Sequence, residues 1–281
     1  VEAGDLCDWS ATVKRSRYFQ RNLVRLALVV VLVVTAFGCD SRHGYRGEVG
    51  ILADVSGSTE GMWHSYAKDM HKLISRLPER VLVYGDRISS NSAAFSDPCK
   101  QFLGQLKNDP TQYQDRDAAE KARAILSTWI NHVFDFTNQA NSKTARSTDQ
   151  VRPGTDILTE INDMEFFFKR YPKTSPKNLF IFSDMVEQTP GELDLTHGTL
   201  STVEIENTLN RLQKQGLIPD LEGVHIWLIG INADPSGFLS VRRLANIKTF
   251  WFRFFLRAKA IPEMTHWGAR LLLAGSDYAR N

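Results

Sequence analysis

The sequence predicts an α/β fold: an open, mostly parallel, doubly wound sheet flanked by helices. Three observations carry that expectation. Leu179-Phe180-Ile181-Phe182 and residues 224–231 are continuous apolar runs, the pattern of strands buried on both faces of a parallel sheet. Strand-like and helix-like segments alternate along the chain, as a sheet wrapped by helices requires. Oxygen-bearing side chains stand where apolar runs end, at Asp54 and at Ser183-Asp184, and ligands of open α/β sheets collect beyond the carboxyl ends of the strands.

The elements follow in order. Residues 49–53 form a short apolar strand. Trp63, Tyr66, Ala67, Met70, Leu73, Ile74 and Leu77 then recur at helical spacing. Residues 81–84 form a second strand. Residues 86–114 are rich in Ser, Asn, Asp and Gln, with a short helix expected near 99–106. Ala118, Ala122, Ile125, Leu126, Trp129, Ile130 and Val133 mark a long amphipathic helix. A polar stretch over 138–153 ends in Arg152-Pro153-Gly154, a loop signal. A helix over 156–170, a strand over 179–182 and a helix over 203–214 come next. A strand over 224–231 and a helix near 238–258 complete the series. Phe250, Trp251, Phe252, Phe254 and Phe255 crowd that last helix all round. They either pack it on the sheet or meet a membrane or partner. Hydrophobic residues make up 42% of the chain, enough for a sizeable core, and residues 49–275 read as one domain.

The N-terminal part is of another kind. Lys14, Arg15, Arg17, Arg21 and Arg25 precede 14 uncharged, mostly apolar residues, 26–39. That run is short for a spanning helix, which needs roughly 20 apolar residues, and it fits the apolar part of an export signal. With Leu23 and Val24 added and Arg25 snorkelling, an uncleaved anchor stays open. Residues 1–39 are thus read as signal or anchor and 40–48 as a polar tether. The basic flank keeps the N-terminus in the cytoplasm and places the remainder outside. Ala36-Phe37-Gly38-Cys39 resembles the lipobox of bacterial lipoproteins, which implies lipid on Cys39. Asp40 is similar to the inner-membrane retention signal of some of them, which implies the periplasmic face of the inner membrane. The cysteines are Cys7, Cys39 and Cys99. If Cys39 carries lipid, Cys99 has no intrachain partner; if not, a Cys39–Cys99 disulfide is possible in an oxidising compartment.

Charge excludes one class of function. The chain holds 34 Lys and Arg against 32 Asp and Glu, and residues 1–38 hold five and three of these, so the exported part is balanced. The electrostatic footprint of a nucleic-acid binder is absent. The seven histidines are scattered and lack zinc-protease spacing.

The chemistry concentrates in three pieces: Asp54-Val55-Ser56-Gly57-Ser58, Gly154-Thr155 and Ser183-Asp184. Asp54, Ser56, Ser58, Thr155 and Asp184 supply two carboxylates and three hydroxyls, all oxygen donors. Small hard cations such as Mg²⁺ or Mn²⁺ prefer such ligands and keep some waters. Ser56, Ser58 and Thr155 suit direct ligation; Asp54 and Asp184 suit direct or water-mediated ligation. Two carboxylates leave the ion little excess anionic charge, so it would attract an external carboxylate. Taken singly, Ser56, Ser58 or Thr59 would serve as a helix N-cap; the three pieces in order, each at a junction, point to a cation. Glu187, Gln188 and Thr189 follow on the same face as candidate rim contacts.

The three pieces, in this order, resemble the von Willebrand factor type A domain with its metal-ion-dependent adhesion site. Gly85-Asp86-Arg87-Ile88, Ser183-Asp184-Met185 and Lys248-Thr249-Phe250-Trp251 look like its bacterial members. The resemblance spans roughly residues 48–260. It implies a Rossmann-like fold and a protein partner that gives an Asp or Glu side chain as the last metal ligand. Between Arg87 and Arg152 the chain departs from the family pattern, so the family's antiparallel edge strand has no assigned place. A structural subunit of an envelope, secretion or conjugation assembly is the alternative. An enzyme is not expected. Asp54 at a strand end is similar to the phosphatases of haloacid-dehalogenase type, but their second acid is replaced by Ser56.

Overall fold

The computed structural model describes residues 47–89, 98–103, 112–144, 155–170, 175–189, 193–196, 200–231, 240–262 and 264–271. The leader with Cys39, the tether up to residue 46, Gly154 and the end of the expected domain beyond residue 271 lie outside them. The elements run β1 (Gly47–Asp54), a 3-10 turn (Gly57–Met62), α1 (Trp63–Arg76), β2 (Val81–Ile88), β3 (Cys99–Leu103), α2 (Gln112–Thr144) and α3 (Ile157–Lys169). They continue with β4 (Lys177–Phe182), β5 (Gln188–Thr189), β6 (Leu193–Asp194), α4 (Thr202–Lys214), β7 (Val224–Ile229), α5 (Val241–Arg257) and β8 (Trp267–Gly268).

Six strands form one sheet in the order β3-β2-β1-β4-β7-β8. All neighbours are parallel except the antiparallel pair β2–β3. β5 and β6 make a separate two-stranded pair. The chain therefore steps outward from β1 to β2 and β3, then returns to β4 on the other side of β1. Strand order reverses between β1 and β4, and the space beyond their carboxyl ends is where such a sheet binds ligands.

The two-residue period of the strands divides the core. Val49, Ile51, Ala53, Phe180, Phe182, Trp227 and Ile229 face α1 and α2. Leu52, Leu179, Ile181, Ile226 and Leu228 face α3, α4 and α5. Both faces are apolar, so the strands read as continuous hydrophobic runs rather than alternating ones. On α5, Phe250, Trp251, Phe254 and Phe255 are fully buried against the sheet, and Phe252 packs edge-on against the Trp267 ring at 6.0 Å. The aromatic crowd belongs to the core.

Three expectations are corrected. Gly47 and Glu48 belong to β1, not to a tether: both are buried and pair with Val81 and Leu82. Residues 99–103 form a strand, not a helix. Cys99 and Leu103 are buried while Lys100 between them is exposed, and the open ladder edge of β2 pairs with this segment. That pairing is the antiparallel edge strand left unassigned above, and a run of this length does not reveal its period. β2 also continues through Gly85-Asp86 to Ile88. Gly85 reads as a breaker, but it is there because a Cβ would lie 2.5 Å from the Trp129 ring.

Glu48 is an unusual occupant of the β1 interior. It is fully buried and pairs across the ladder with Lys177 of β4. The Lys177 ammonium stands 3.7 Å from the Glu48 carboxylate and donates to the Phe168 carbonyl at 2.7 Å. Among the described residues neither Glu48 oxygen has a hydrogen-bond donor. Burial pushes the Glu48 carboxyl from an ordinary 4.5 up to about 7, with Lys177 opposing. A carboxyl raised in the folded state binds a proton there that the unfolded chain releases. Its contribution to stability is complete below about pH 4.5 and declines as pH rises through about 7. Glu48→Gln removes that decline. The stability difference between variant and wild type, followed by denaturant titration from pH 4.5 to 8, is expected to move by about 1–3 kcal/mol in favour of the variant. Parallel curves would show that Glu48 does not titrate in this window.

Candidate functional site

The first piece of the site is built by the exit from β1. Asp54 closes the strand and is completely buried. Its Oδ1 accepts the Ser56 backbone N–H at 2.8 Å, so the turn folds back over the carboxylate. Thr59, buried in the 3-10 turn, places its hydroxyl 3.0 Å from the carbonyls of both Asp54 and Ser56, which share its one proton. The Trp63 indole N–H donates to that hydroxyl at 3.1 Å. Ser56 and Ser58 hydroxyls then lie 3.1 Å apart, with Ser56 nearly buried and Ser58 exposed.

The second piece comes from β4. Ser183 directly follows the strand and is fully buried. Its hydroxyl donates to Asp54 Oδ2 at 2.6 Å and accepts the Met185 N–H at 2.8 Å. This bond joins the two strands across the point where strand order reverses. Asp184, 4% exposed, holds its own turn through a bond from the Val186 N–H to Oδ1 at 2.9 Å. Met185 adopts φ 62°, the left-handed region that costs a non-glycine residue energy. It is fixed there from two sides, by Ser183 at its N–H and by the Trp251 indole donating to its carbonyl at 2.8 Å.

The third piece lies before α3. Thr155 is buried, and Asp156 caps the helix by accepting the Thr159 N–H at 3.2 Å. The Asp156 N–H donates to the Ser89 carbonyl just past β2. The Thr155 carbonyl accepts the Gln188 N–H at 3.1 Å and lies 3.2 Å from the Thr189 hydroxyl. Val55 N–H to Ile88 carbonyl, 3.0 Å, ties the turn after β1 to β2. The five candidate ligands thus sit on three loops at one edge of the sheet, linked through neighbouring backbone bonds.

Glu187 is corrected. It is not a rim residue: it is fully buried, and Oε2 accepts the N–H groups of Ile157 and Leu158 at 2.7 and 3.2 Å. It also takes the Thr189 hydroxyl on Oε1. Burial pushes its carboxyl up to about 8, opposed by the bonds from Thr189, Ile157 and Leu158. Gln188 is half-buried. Sequence reasoning named Thr59 only as a possible N-cap and Trp251 only in the aromatic crowd and the resemblance; it missed their supporting roles and the part played by Ser183 in orienting Asp54. A hydroxyl one residue before a strand-end carboxylate was the available signal for the last of these.

Several features fit a small hard cation. Every candidate donor is oxygen. In an octahedron with metal–oxygen distances near 2.0–2.1 Å, adjacent oxygens stand roughly 2.9 Å apart, close to the 3.1 Å between Ser56 and Ser58. Burial raises the Asp54 carboxyl, and the opposing influences are hydrogen bonds from Ser183, Ser56 and Thr59. Below the site lies Tyr66, buried, with a hydroxyl that has no hydrogen-bond partner among the described residues. Burial and then the charges of Asp54 and Asp184 push its phenol well up. Among the described residues no three His, Cys, Asp or Glu side chains are grouped to hold a metal. A cation here depends on hydroxyls.

Gly230 guards the floor. It has φ 109°, and a Cβ would lie 2.1 Å from the Tyr66 hydroxyl and 2.7 Å from the Ser183 carbonyl. Gly230→Ala is expected to lower stability by about 2–4 kcal/mol, from backbone strain plus overpacking. Adding Tyr66→Phe removes the hydroxyl contact, leaving the ring carbon at 2.9 Å and the Ser183 carbonyl, and should restore part of the loss. Chemical denaturation of both variants checks this, and an undiminished Gly230→Ala protein would refute the geometry.

No family model and no curated protein matches the chain. Solved structures do. One is an aerotolerance-related membrane protein from Bacteroides fragilis NCTC 9343, at 12% identity over 66% of this chain and 67% of that one, TM-score 0.33. Another is the pilus adhesin SpaC from Lactobacillus rhamnosus GG in its open conformation, at 10% identity over 81% and 28%, TM-score 0.43. A third is a von Willebrand factor type A protein from Catenulispora acidiphila, at 14% identity over 76% and 42%, TM-score 0.34. The chain spans less than half the length of the last two. These likenesses concern fold and bear on no residue of the site; the α/β architecture itself stands on the strand order and pairing described above.

Proposed function

We propose that the chain is a von Willebrand type A-like, divalent-cation-dependent protein-binding domain, with Asp54, Ser56, Ser58, Thr155 and Asp184 around Mg²⁺ or Mn²⁺. The observation that carries this reading is the bridge Asp54–Ser183 at the reversal of strand order, with the Ser56 and Ser58 hydroxyls 3.1 Å apart beside it. When bound, the cation supplies a Lewis-acidic point that accepts a carboxylate from a partner protein. The chain's own residues supply the rest. Ser56 N–H and Ser183 Oγ each occupy one oxygen of Asp54 and so fix its plane. The Val186 N–H orients Asp184. Ser58, exposed, stands on the solvent side, where a partner side chain would arrive.

No general acid stands at the Ser56 position, so binding rather than turnover is the proposed activity. We further propose that the domain is held at the periplasmic face of the inner membrane through lipid on Cys39 or through an uncleaved anchor. Among the described residues no helix is long and apolar enough to cross a membrane, and the apolar segment 26–39 lies outside them.

Thermal melting of the full chain in EDTA, Mg²⁺ and Mn²⁺ tests the cation. A ligand of the folded state at about 100 times its dissociation constant adds roughly 2.7 kcal/mol, or a rise of about 5–10 °C for a domain of this size. The rise is expected in wild type and absent in Asp54→Ala. A metal-independent wild type sinks the reading. For the anchor, fatty-acid labelling is expected in wild type and lost in Cys39→Ser; unlabelled wild type points to the uncleaved anchor instead.

A further inference from the structure

Two of the three site loops are fastened to each other by a side chain that lies behind them. Glu187 follows Asp184 by three positions and is fully buried. Its Oε2 takes the N–H groups of Ile157 and Leu158, the first two residues of α3. Those N–H groups have no partner within the helix, and the helix dipole favours an acceptor there. The neighbouring residues complete the fastening: Gln188 N–H and Thr189 Oγ1 both reach the Thr155 carbonyl, and Thr189 also bonds Glu187. The Leu195 N–H donates to the Glu187 carbonyl at 2.9 Å, which pins the segment from its far side.

We propose that Glu187 is a positioning residue for cation binding: it locks the start of α3, and with it Thr155, to the loop that carries Asp184. The inference rests on the cation reading of the site. An octahedral ion demands near-ideal ligand geometry, and a site loosened by fractions of an ångström loses affinity. Thr155 precedes α3 by two positions, so the Glu187 bonds, together with Asp156 N–H on the Ser89 carbonyl and Gln188 N–H on the Thr155 carbonyl, hold it in place. A carboxyl group that never touches the ion therefore sets how tightly the ion is held. The same contact makes Thr155 and Asp184 move as a unit.

The experiment is calorimetric titration of the full chain, purified in mild detergent, with Mn²⁺ alone. Glu187→Ala is expected to weaken binding at least tenfold. Glu187→Gln keeps a carbonyl oxygen for both N–H groups and should recover most of the affinity. Thr189→Val, a milder change that removes the hydroxyl between Glu187 and Thr155, should cost a few-fold and serves if Glu187→Ala does not fold. Leu209→Ala, which opens the core beneath α4 and removes none of the hydrogen bonds of these loops, should melt lower yet bind Mn²⁺ as wild type does. If folded Glu187→Ala or Thr189→Val binds Mn²⁺ like wild type, or Leu209→Ala loses as much as they do, the positioning role is overturned. If wild type itself binds no Mn²⁺, the cation reading falls and takes this inference with it.

Discussion

A carboxylate removed from water needs partners or it does not remain charged, and Asp54 is completely removed from water. Much of the upper edge of the domain can be understood as the arrangement that satisfies it. One oxygen requires the Ser56 N–H, which dictates the fold-back of the turn after β1. The other requires the Ser183 hydroxyl, which brings the end of β4 level with the end of β1. Ser183 in turn accepts the N–H of Met185, which stands in a left-handed conformation, and the next N–H, of Val186, orients Asp184. Trp251, from the far end of the sequence, closes the set by taking the Met185 carbonyl. The order of dependence runs from one buried charge outward through four elements.

The fold was largely legible because its signals are local and redundant. Residues 179–182 and 226–229 are apolar at consecutive positions, as expected of a strand with helices on both faces. The helix over 157–169 is bounded by Asp156, whose side chain caps it, so its start was readable to a residue. β3 was misread because its five residues are too few to show a period and because pairing, not propensity, makes them a strand. β2 was read short because Gly85 looks like a turn residue when its neighbour Trp129, more than forty positions away, is not in view.

The sequence offers the candidate donors, which the structure places on three loops at one sheet edge, but not the groups that support them. Asp54, Ser56, Ser58, Thr155 and Asp184 stand out because each follows or precedes a regular element. Glu187 was placed at the rim because charged residues in loops are usually solvated. In the structure it fills a need the sequence does not display, the uncapped N–H groups of a helix start that lies about thirty positions earlier. Tyr66 and Gly230 illustrate the same limit. Their mutual fit, phenol over bare Cα, is a relation between α1 and the end of β7 that no spacing rule encodes.

The setting of β1 has a mechanical consequence. The strand lies between two parallel neighbours, pairing with β2 over Gly47–Asp54 and with β4 over residues 48–53. One end receives the chain from residue 46; the other, roughly 23 Å away at about 3.3 Å per residue, carries Asp54. Any pull exerted on Asp54 and resisted at residue 47 runs along the strand axis. The ladder bonds on both sides then bear the load in shear, all at once, rather than parting one after another as they would if the force were applied across the strand. Tension applied along β1 between its two ends is thus carried by the most thoroughly paired strand in the sheet, while β3 and β8 at the edges stay out of the line of force.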